Sequence, residues 1–242
     1  MNNELLAIVP ARAGSKGVPR KNKMLVGGKP LIDYTVDALS IAKSVSGIIV
    51  TTDDPDILQY YRSHQGILLV KRPAELSQDQ SKTSDAVFHA LQAWKIHKGN
   101  LPRSILLAQP TTPLRTAEDI DAAFSLFCSM GKQPTISACK VDGIRHPKVM
   151  YRLGSPDNLT GSLYIEDTDN DIQRQQYEVL YQRNGAVYIV ATEYFLRTGD
   201  LKSSSPVIYE MPWARSINID IADDFKIAKA LIESGLNQGQ DQ

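Results

Sequence analysis

Short apolar segments alternate with amphipathic segments of helical periodicity along the first half of the chain, and this alternation constrains the fold most. The apolar segments predict four buried strands, at residues 5–10, 47–52, 67–70 and 104–108. The segments between them predict helices that begin at Pro30 and after Asp53, and that span residues 82–98 and 117–129. Such alternation favours an α/β fold with three layers, in which a mostly parallel sheet lies between two layers of helices.

Polar residues follow the predicted strands directly. Arg12, Asp53, Arg72 and Gln109 each come one or two residues after the end of a strand. In parallel α/β sheets, ligands bind beyond the carboxyl ends of the strands. We therefore expect the functional site at this edge of the sheet.

The alternation fails between about residues 140 and 182, where the chain is polar and contains an acidic run. We interpret residues 140–182, called the arm below, as a dimerisation and sugar-binding insertion in a single domain of residues 1–242. After the arm, strands are predicted at residues 185–190 and 217–219, and a terminal helix at residues 223–233. A chain of 242 residues can bury its core without disulfides or structural metals.

The composition argues against several functional classes. Lys plus Arg and Asp plus Glu both number 27, so the net charge is zero and a nucleic-acid partner is not expected. No apolar stretch approaches the roughly 20 residues that span a bilayer, so no membrane partner is expected either. The cysteines Cys128 and Cys139 lack metal-ligand spacing, and the N-terminus has no basic region typical of a secretory signal. A reduced, cytoplasmic protein fits these features.

A loop between the first strand and the first helix (residues 11–29, the basic loop) concentrates positive charge. It has no acidic residue, and its basic residues are Arg12, Lys16, Arg20, Lys21, Lys23 and Lys29. Gly14 and Gly17 flank Ser15 and Lys16, which lets backbone N–H groups approach a ligand closely. The pattern favours triphosphate binding, with a solvated basic face as the alternative. The motifs of P-loop NTPases and dinucleotide dehydrogenases are both absent.

A series of motifs resembles that of the acylneuraminate cytidylyltransferases, or CMP-sialic acid synthetases. The motifs are residues 10–22 (PARAGSKGVPRKN), 81–85, 109–115 (QPTTPLR), 146–148, 174–176, 184–188 (NGAVY) and 217–224. The resemblance covers nearly the whole chain and implies the nucleotide-diphospho-sugar transferase fold. It also implies a Mg²⁺-dependent reaction in which CTP and a nine-carbon α-keto sugar acid give a CMP-sugar and pyrophosphate.

The resemblance also implies roles for individual residues. Arg12, Lys16 and Lys21 would be catalytic, with Lys21 or Arg12 stabilising the pyrophosphate leaving group. The implied nucleotide-binding residues are Arg12, Ala13, Gly14, Ser15, Lys16, Asn22, Arg72, Ser81 and Ser84. Within this set, Asn22 and Arg72 would contact the cytosine. Without the family, Arg72 is more typical of a surface arginine.

For the sugar acid, the resemblance implies contacts from Gln109, Asn184 and Tyr188. Lys148 and Arg174 resemble residues that the family's arm sends into the neighbouring subunit, where they pair with the sugar carboxylate. The chain is therefore expected to act as a homodimer, and an isolated monomer is expected to be impaired.

The implied metal site departs from the family pattern. The family places an Asp-x-Asp pair on its last strand, whereas this chain has Asn218 and Asp220. Alternate residues of a strand share a face, so both side chains are expected to reach one Mg²⁺. Asp220 then supplies most of the negative charge, which leaves the number of metal ions open.

Two alternatives to a nonulosonate cytidylyltransferase remain open. A CMP-Kdo synthetase, which uses an eight-carbon sugar acid, resembles this pattern but tends to carry an acidic residue at the position of Gln109. A nucleotide-binding dimer that has lost activity is the other alternative, because Asn218 replaces an expected carboxylate.

Overall fold

One central sheet carries helices on both faces in the computed structural model, which describes residues 5–14, 17–155, 158–165 and 177–235. In these ranges the strands are β1 (Leu5–Pro10), β2 (Leu25–Val26), β3 (Lys29–Pro30), β4 (Val45–Thr52), β5 (Ile67–Lys71), β6 (Ser104–Leu107), β7 (Thr135–Lys140), β8 (Tyr151–Ser155), β9 (Asn158–Leu163), β10 (Tyr181–Ala191) and β11 (Val207–Glu210). The helices are α1 (Leu31–Ile41), α2 (Pro55–Tyr61), α3 (Thr83–Lys98), α4 (Ala117–Ser129), α5 (Thr192–Thr198) and α6 (Ala222–Glu233).

Seven of the strands pair in the order β11-β7-β10-β6-β1-β4-β5. The pairs of β1 with β4 and β6, of β4 with β5, and of β7 with β11 are parallel. Strand β10 runs antiparallel to both β6 and β7. The predicted mostly parallel α/β sheet is therefore confirmed.

Apolar side chains cover both faces of this sheet. Strand β1 contributes Leu5, Ala7 and Val9 to one core cluster and Leu6 and Ile8 to the other. Helices α1, α2 and α4 pack in the first cluster, whereas α3 and α5 pack in the second. Burial on both faces explains why β1 is apolar throughout instead of alternating with polar residues.

Local capping signals set where two of the helices begin. Asp54 accepts hydrogen bonds from two N–H groups in the first turn of α2. Thr116 and Asp119 form a reciprocal capping box at the start of α4. Such caps satisfy N–H groups that a helix leaves unpaired. They also fix the short loops that lead from β4 and β6 at the carboxyl edge of the sheet.

The predicted strand at residues 217–219 is wrong. Ile217 and Ile219 are buried in a third apolar cluster, together with Val18 of the basic loop and residues of α6. The Ile219 N–H donates to the Thr111 carbonyl at 2.8 Å, but the segment joins none of the sheets formed by the described residues. Its alternating burial comes from packing between a loop and a helix.

The chain leaves the sheet after β7 and returns to it at β10. Between these strands, β8 and β9 pair antiparallel as a separate two-stranded sheet. Residues 156–157 and 166–176 of the arm lie outside the described residues. The division into one domain and an arm at residues 140–182 stays a prediction.

The remaining predicted elements are observed with small shifts of their ends. Helix α4 has the predicted bounds, and β4 begins two residues before the predicted start. Strands β7 and β11, helix α5 and the short β2–β3 hairpin inside the basic loop are not predicted by the sequence patterns. None of the helices in the described ranges is long and apolar enough to cross a membrane.

Candidate active site

A cleft of about 440 Å³ opens at the carboxyl edge of the sheet, beyond the ends of β1, β5 and β6. The predicted site residues that line it are Arg12, Lys21, Asn22, Arg72, Ser81, Gln109, Asn218 and Asp220. A volume of this order is typical of small-molecule sites. The structure therefore brings most of the described site residues to one place, which we call the first cleft.

Two contacts hold the first half of the basic loop against distant parts of the chain. A Cβ at Gly17 would lie 1.8 Å from the carbonyl oxygen of Asp220, so a larger residue does not fit there. The Ala13 N–H donates to Asp53 Oδ1 at 2.9 Å, which ties the loop to the end of β4. Around Gly14, no described atom lies within 4 Å of an added Cβ. Gly17 thus packs against the chain and lines the first cleft, whereas Gly14 has open space around it and is not among the described residues that line this cleft.

The Lys21 ammonium occupies the junction between the basic loop and residues 217–220. Its Nζ donates to the Ile219 carbonyl at 2.6 Å and lies 4.0 Å from Asp220 Oδ1. Burial lowers the pKa of Lys21, and the charge of Asp220 opposes that shift. Because the side chain is only 14% exposed, its charge is less screened by water than a surface charge would be.

Arg12 extends across the mouth of the first cleft towards the loop that precedes α3. Its Nη1 donates to the Gln78 carbonyl at 3.2 Å and lies 3.1 Å from Asp79 Oδ1. The Arg12 side chain is 32% exposed, and ion pairs of this kind contribute about 0–1 kcal/mol. Arg12 can therefore exchange Asp79 for an incoming phosphate at little energetic cost.

Asn22 and Arg72 form a buried part of the cleft wall, and each is 6% exposed. Asn22 Nδ2 donates to the Arg12 carbonyl at 3.1 Å, and Arg72 Nη2 donates to the Thr51 carbonyl at 2.8 Å. Burial lowers the pKa of Arg72, while the charge of Asp53 opposes the shift. Arg72 is thus a buried cation beside the cleft, and the surface position that its residue type alone favours is wrong.

Two of the three predicted serines are among the described residues, and they are placed differently. Ser81 lines the first cleft, where its Oγ donates to the Glu75 carbonyl at 2.9 Å and accepts from the Gln78 N–H at 3.0 Å. Ser84 lies in the first turn of α3 and is not among the described residues that line the cleft. A nucleotide contact by Ser84 stays a prediction.

Gln109 follows β6, and a buried arginine fixes its backbone. Arg115 Nη2 donates to the Gln109 carbonyl at 2.6 Å, while its Nε donates to the Ala186 carbonyl at 2.7 Å and its Nη1 to Thr35 Oγ1 at 2.8 Å. Arg115 is 3% exposed, and burial lowers its pKa to about 10. Its guanidinium joins the loop after β6 to β10 and α1, and so positions Gln109 at the cleft.

Asn218 and Asp220 meet although their segment is not a strand. Asn218 Nδ2 donates to Asp220 Oδ2 at 3.0 Å, and the Asp220 side chain is 71% exposed. Asn218 Oδ1 is buried and has no hydrogen-bond partner. Among the described residues, no group of three or more His, Cys, Asp or Glu could hold a metal. The Asp220 carboxylate suits Mg²⁺, which takes few protein ligands when phosphate supplies others, but Asn218 faces it with its amide N–H, so the amide would have to turn over for its oxygen to reach the same ion.

Two predicted sugar contacts lie inside the protein, and each is 3% exposed. Asn184 Oδ1 accepts from Ser137 Oγ at 2.6 Å and from the Ala186 N–H at 3.1 Å, while its Nδ2 donates to Ser216 Oγ at 2.9 Å. Tyr188 packs in the core cluster of α3 and α5. Neither residue lines the first cleft, so their sugar contacts stay predictions. The observed hydrogen bonds of Asn184 connect β10 to β7 and to Ser216, so the side chain positions these segments.

Of the remaining predicted residues, Ser15, Lys16 and Arg174 lie outside the described residues. Lys148 lies in the arm, where its N–H donates to His146 Nδ1 at 3.2 Å. The Lys148 ammonium lies 5.5 Å from the centre of the Tyr177 ring and does not line the first cleft of its own chain. Its reach into a neighbouring subunit stays a prediction.

A second cleft of about 400 Å³ adjoins the first and shares Asn218 and Asp220 with it. Arg145, Arg183 and Trp213 contribute to its other walls. The Arg145 guanidinium lies over the Trp213 ring, 4.6 Å from its centre. The predicted sugar contact Asn184 and residues of the 217–224 motif also line this cleft, while the arm and the turn before α6 supply the rest of its wall.

Two further residues shape the site without having been predicted to do so, namely Arg115 and Gly185. Gly185 has a φ of +83°, and a Cβ there would lie 3.1 Å from Gln109 Oε1 and 3.3 Å from Thr112 Oγ1. A positive φ and close neighbours both favour glycine. In the sequence, Arg115 and Gly185 are marked by their positions in the QPTTPLR and NGAVY motifs. Neither residue type alone would indicate a role in the site.

Comparison with known proteins agrees with the motif resemblance. A family model described as cytidylyltransferase matches residues 6–234. The chain is 31% identical over 225 residues to an N-acylneuraminate cytidylyltransferase of Streptococcus agalactiae serotype V, an alignment that covers 91% of this chain and 51% of that protein. It is 29% identical to a CMP-N,N'-diacetyllegionaminic acid synthase of Legionella pneumophila, with 97% of both covered. The chain thus spans about half the length of the first curated relatives that it matches.

A solved structure of CMP:2-keto-3-deoxy-manno-octonic acid synthetase with CTP superposes with a TM-score of 0.68 at 15% identity, covering 96% of this chain and 99% of that one. At this identity the likeness concerns the fold alone, and it confirms the predicted nucleotide-diphospho-sugar transferase type of sheet. Because the family model spans nearly all of its length, the chain belongs to the cytidylyltransferase family.

Proposed function

We propose that the chain couples CTP to a nine-carbon α-keto sugar acid, a sialic acid or a related nonulosonate, and releases pyrophosphate. The observation that carries this proposal is the first cleft, whose lining contains three cations, Arg12, Lys21 and Arg72. The carboxylate of Asp220 lies in the same lining. A metal-bound triphosphate needs cations for its phosphates and oxygen ligands for its metal, and this cleft supplies both. The names of the relatives from Streptococcus agalactiae and Legionella pneumophila support the choice of CTP and of a nonulosonate.

The proposed reaction is a direct nucleotidyl transfer. The anomeric hydroxyl oxygen of the sugar forms a bond to the α-phosphorus of CTP, and the bond from that phosphorus to the bridging oxygen breaks. The hydroxyl releases its proton, and pyrophosphate leaves with the electron pair of the broken bond. Such a step needs no covalent intermediate with the protein, so positioning and charge neutralisation supply the rate enhancement.

Two cations of the basic loop serve the leaving group in this proposal. Lys21 is held by the Ile219 carbonyl at 2.6 Å, so its charge is already in place before a ligand arrives. Arg12 instead moves its guanidinium from Asp79 to the phosphates. Their hydrogen bonds favour catalysis to the extent that they strengthen as charge develops on the pyrophosphate.

Mg²⁺ is part of the proposal, with Asn218 and Asp220 as its protein ligands. The buried, unpaired Oδ1 of Asn218 supports this assignment, because an orphaned carbonyl oxygen is stabilised by a cation. When bound, the ion would neutralise charge on the triphosphate. A single carboxylate favours one ion held mainly by the phosphates over two ions held by protein.

The alternatives are less well supported. The likeness to the CMP:2-keto-3-deoxy-manno-octonic acid synthetase concerns the fold alone, and the neutral Gln109 at the cleft wall disfavours that substrate. An inactive nucleotide-binding protein is disfavoured by the placement of Asn218 Oδ1, which suits a ligand even without a second carboxylate. A cytoplasmic setting remains part of the proposal, consistent with the buried thiol of Cys139.

A homodimer built through the arm is also part of the proposal. Strands β8 and β9 form a two-stranded sheet, which is at best marginally stable in water by itself. Three large apolar side chains of this region are strongly exposed, with Tyr151 at 68%, Leu159 at 81% and Tyr164 at 56%. Exposed apolar clusters mark interaction sites, and a second copy of the chain is the partner that the family resemblance implies.

The proposal is tested by incubating the chain with Mg²⁺, with CTP, UTP, GTP or ATP, and with N-acetylneuraminic acid, N,N'-diacetyllegionaminic acid or Kdo. Pyrophosphate release is the measurement. We expect release with CTP and a nine-carbon acid, and loss of release when EDTA removes the metal. Release with Kdo alone would establish the eight-carbon alternative. Failure with every acid would favour the inactive protein.

A further inference from the structure

Residues 216–220 carry Asp220 to the first cleft, although they join none of the sheets formed by the described residues. Hydrogen bonds to neighbouring strands therefore do not fix this segment, and other contacts have to. In its middle, the Ile219 N–H donates to the Thr111 carbonyl at 2.8 Å. At its far end, the Asp220 N–H donates to Asp224 Oδ2 at 2.9 Å. Its beginning is held by the residue that precedes it, an arginine.

Arg215 ends the short 3-10 helix Trp213–Arg215 and pairs with Asp119 in the first turn of α4. The Arg215 Nε donates to Asp119 Oδ2 at 3.1 Å, and its Nη2 donates to Asp119 Oδ1 at 3.1 Å. The Asp119 side chain is only 1% exposed and that of Arg215 is 20% exposed, so water screens this pair weakly. Two parallel hydrogen bonds fix orientation as well as distance. The pair is therefore a rigid joint between α4 and the start of the segment.

Other hydrogen bonds hold the Asp119 carboxylate in place. The Thr116 N–H donates to Asp119 Oδ2 at 3.0 Å as part of the capping box of α4, and the Tyr209 hydroxyl donates to Asp119 Oδ1 at 3.2 Å. Burial and the charge of Asp119 raise the pKa of Tyr209 to about 12, so this hydroxyl keeps its proton at neutral pH. Helix α4 directly follows the loop that carries Gln109. The joint thus connects two walls of the first cleft.

We propose that Arg215 is a positioning residue whose pair with Asp119 sets where the Asp220 carboxylate lies. The inference rests on the proposed function, in which Asp220 holds the metal of the metal-bound triphosphate. Arg215 is not among the described residues that line either cleft, so it acts through the backbone that follows it. Asp119 and Arg215 also lie outside the motifs that carry the family resemblance. A misplacement of about 1 Å in an active site can cost on the order of 100-fold in rate.

The test measures the dissociation constant of CTP by calorimetry, once with Mg²⁺ and once with EDTA. The ratio of the two constants is the gain that the metal provides, and it needs no catalytic turnover. We expect a gain in the wild type, its complete loss in Asp220→Asn, and a reduction of about 10-fold in Arg215→Met. Arg215→Lys should fall between Arg215→Met and the wild type, because an ammonium cannot reproduce the planar fork. A loss of stability alone weakens CTP binding equally under both conditions and leaves the ratio unchanged.

Tyr209→Phe is the matched control, because it removes a hydrogen bond to the same Asp119 carboxylate and leaves Arg215 in place. It should lower the urea midpoint but keep the full gain.

Three results would overturn the inference alone: a full gain in Arg215→Met, an equal loss in Tyr209→Phe, or, where Arg215→Met does not fold, a full gain in Arg215→Lys. A wild type whose CTP binding is no stronger with Mg²⁺ than with EDTA contradicts the proposed function itself, and the inference fails with it.

Discussion

A substitution of Lys21 is expected to change catalysis much more than the stability of the fold. Its ammonium donates to one backbone carbonyl, and its charge lies 4.0 Å from Asp220 Oδ1 at the edge of the first cleft. Lys21→Met keeps the aliphatic stem and removes the charge. We expect kcat for pyrophosphate release to fall about 10- to 100-fold, while the free energy of unfolding changes by no more than about 1–2 kcal/mol. Steady-state kinetics and urea denaturation measure the two quantities.

The pH dependence gives an independent reading of the same residue. Burial lowers the pKa of Lys21 below the ordinary 10.5, so its charge is lost at a lower pH than that of an exposed lysine. The wild-type kcat/KM for CTP, which reports the ligand-free protein, should therefore decline on the alkaline side below that value, and Lys21→Arg should move the decline upwards. Lys95→Met, exposed on α3, is the control. An unchanged kcat in Lys21→Met would remove the residue from the mechanism.

At this scale, motifs identify residues but not their partners. The glycines of the basic loop are predicted to let backbone N–H groups approach a ligand, and open space surrounds Gly14, which is not among the described residues that line the first cleft. Gly17 instead accommodates the Asp220 carbonyl, which lies far along the chain. Residue type marks both positions as special. Only the folded chain shows why Gly17 has to be small, because the neighbour of Gly17 belongs to a distant segment.

At the scale of elements, Arg115 joins three of them through hydrogen bonds to Gln109, Ala186 and Thr35. Arg115→Met would remove the donor of the buried Ala186 carbonyl and of the Thr35 hydroxyl, and one of the two donors of the Gln109 carbonyl, which also accepts from the Thr112 N–H. We expect the free energy of unfolding to fall by about 3–5 kcal/mol, measured by urea denaturation. Arg115→Lys should recover only part of the loss, because an ammonium cannot reproduce the planar fork.

Arg197→Met, at an exposed position of α5, is the control for loss of an arginine and should leave stability nearly unchanged. If Arg115→Met were as stable as this control, the three hydrogen bonds would contribute nothing net. In that case another contact would have to hold the loop after β6 in place.

Individual elements differ in whether their own sequence predicts them. Strand β1 and helix α4 carry their own signals, a continuous apolar run and a capping box. Residues 217–219 carry the alternation of a strand, but their burial comes from the basic loop and α6. Strand β7 was missed because its six residues mix polar and apolar types, and its place is set by pairing with β10 and β11.

At the scale of the whole molecule, the proposed dimer has the arm of one chain complete the site of the other. Leu159 is 81% exposed on β9, and a dimer interface over the hairpin would bury it. We expect Leu159→Asp to shift the protein from dimer to monomer in analytical ultracentrifugation and to lower activity with it, because an aspartate is costly to bury in an apolar interface. Ile96→Asp is the matched control, since Ile96 is 87% exposed on α3, outside the arm. A Leu159→Asp variant that remains dimeric would place the interface elsewhere. A fully active monomer would instead show that one chain contains the whole site.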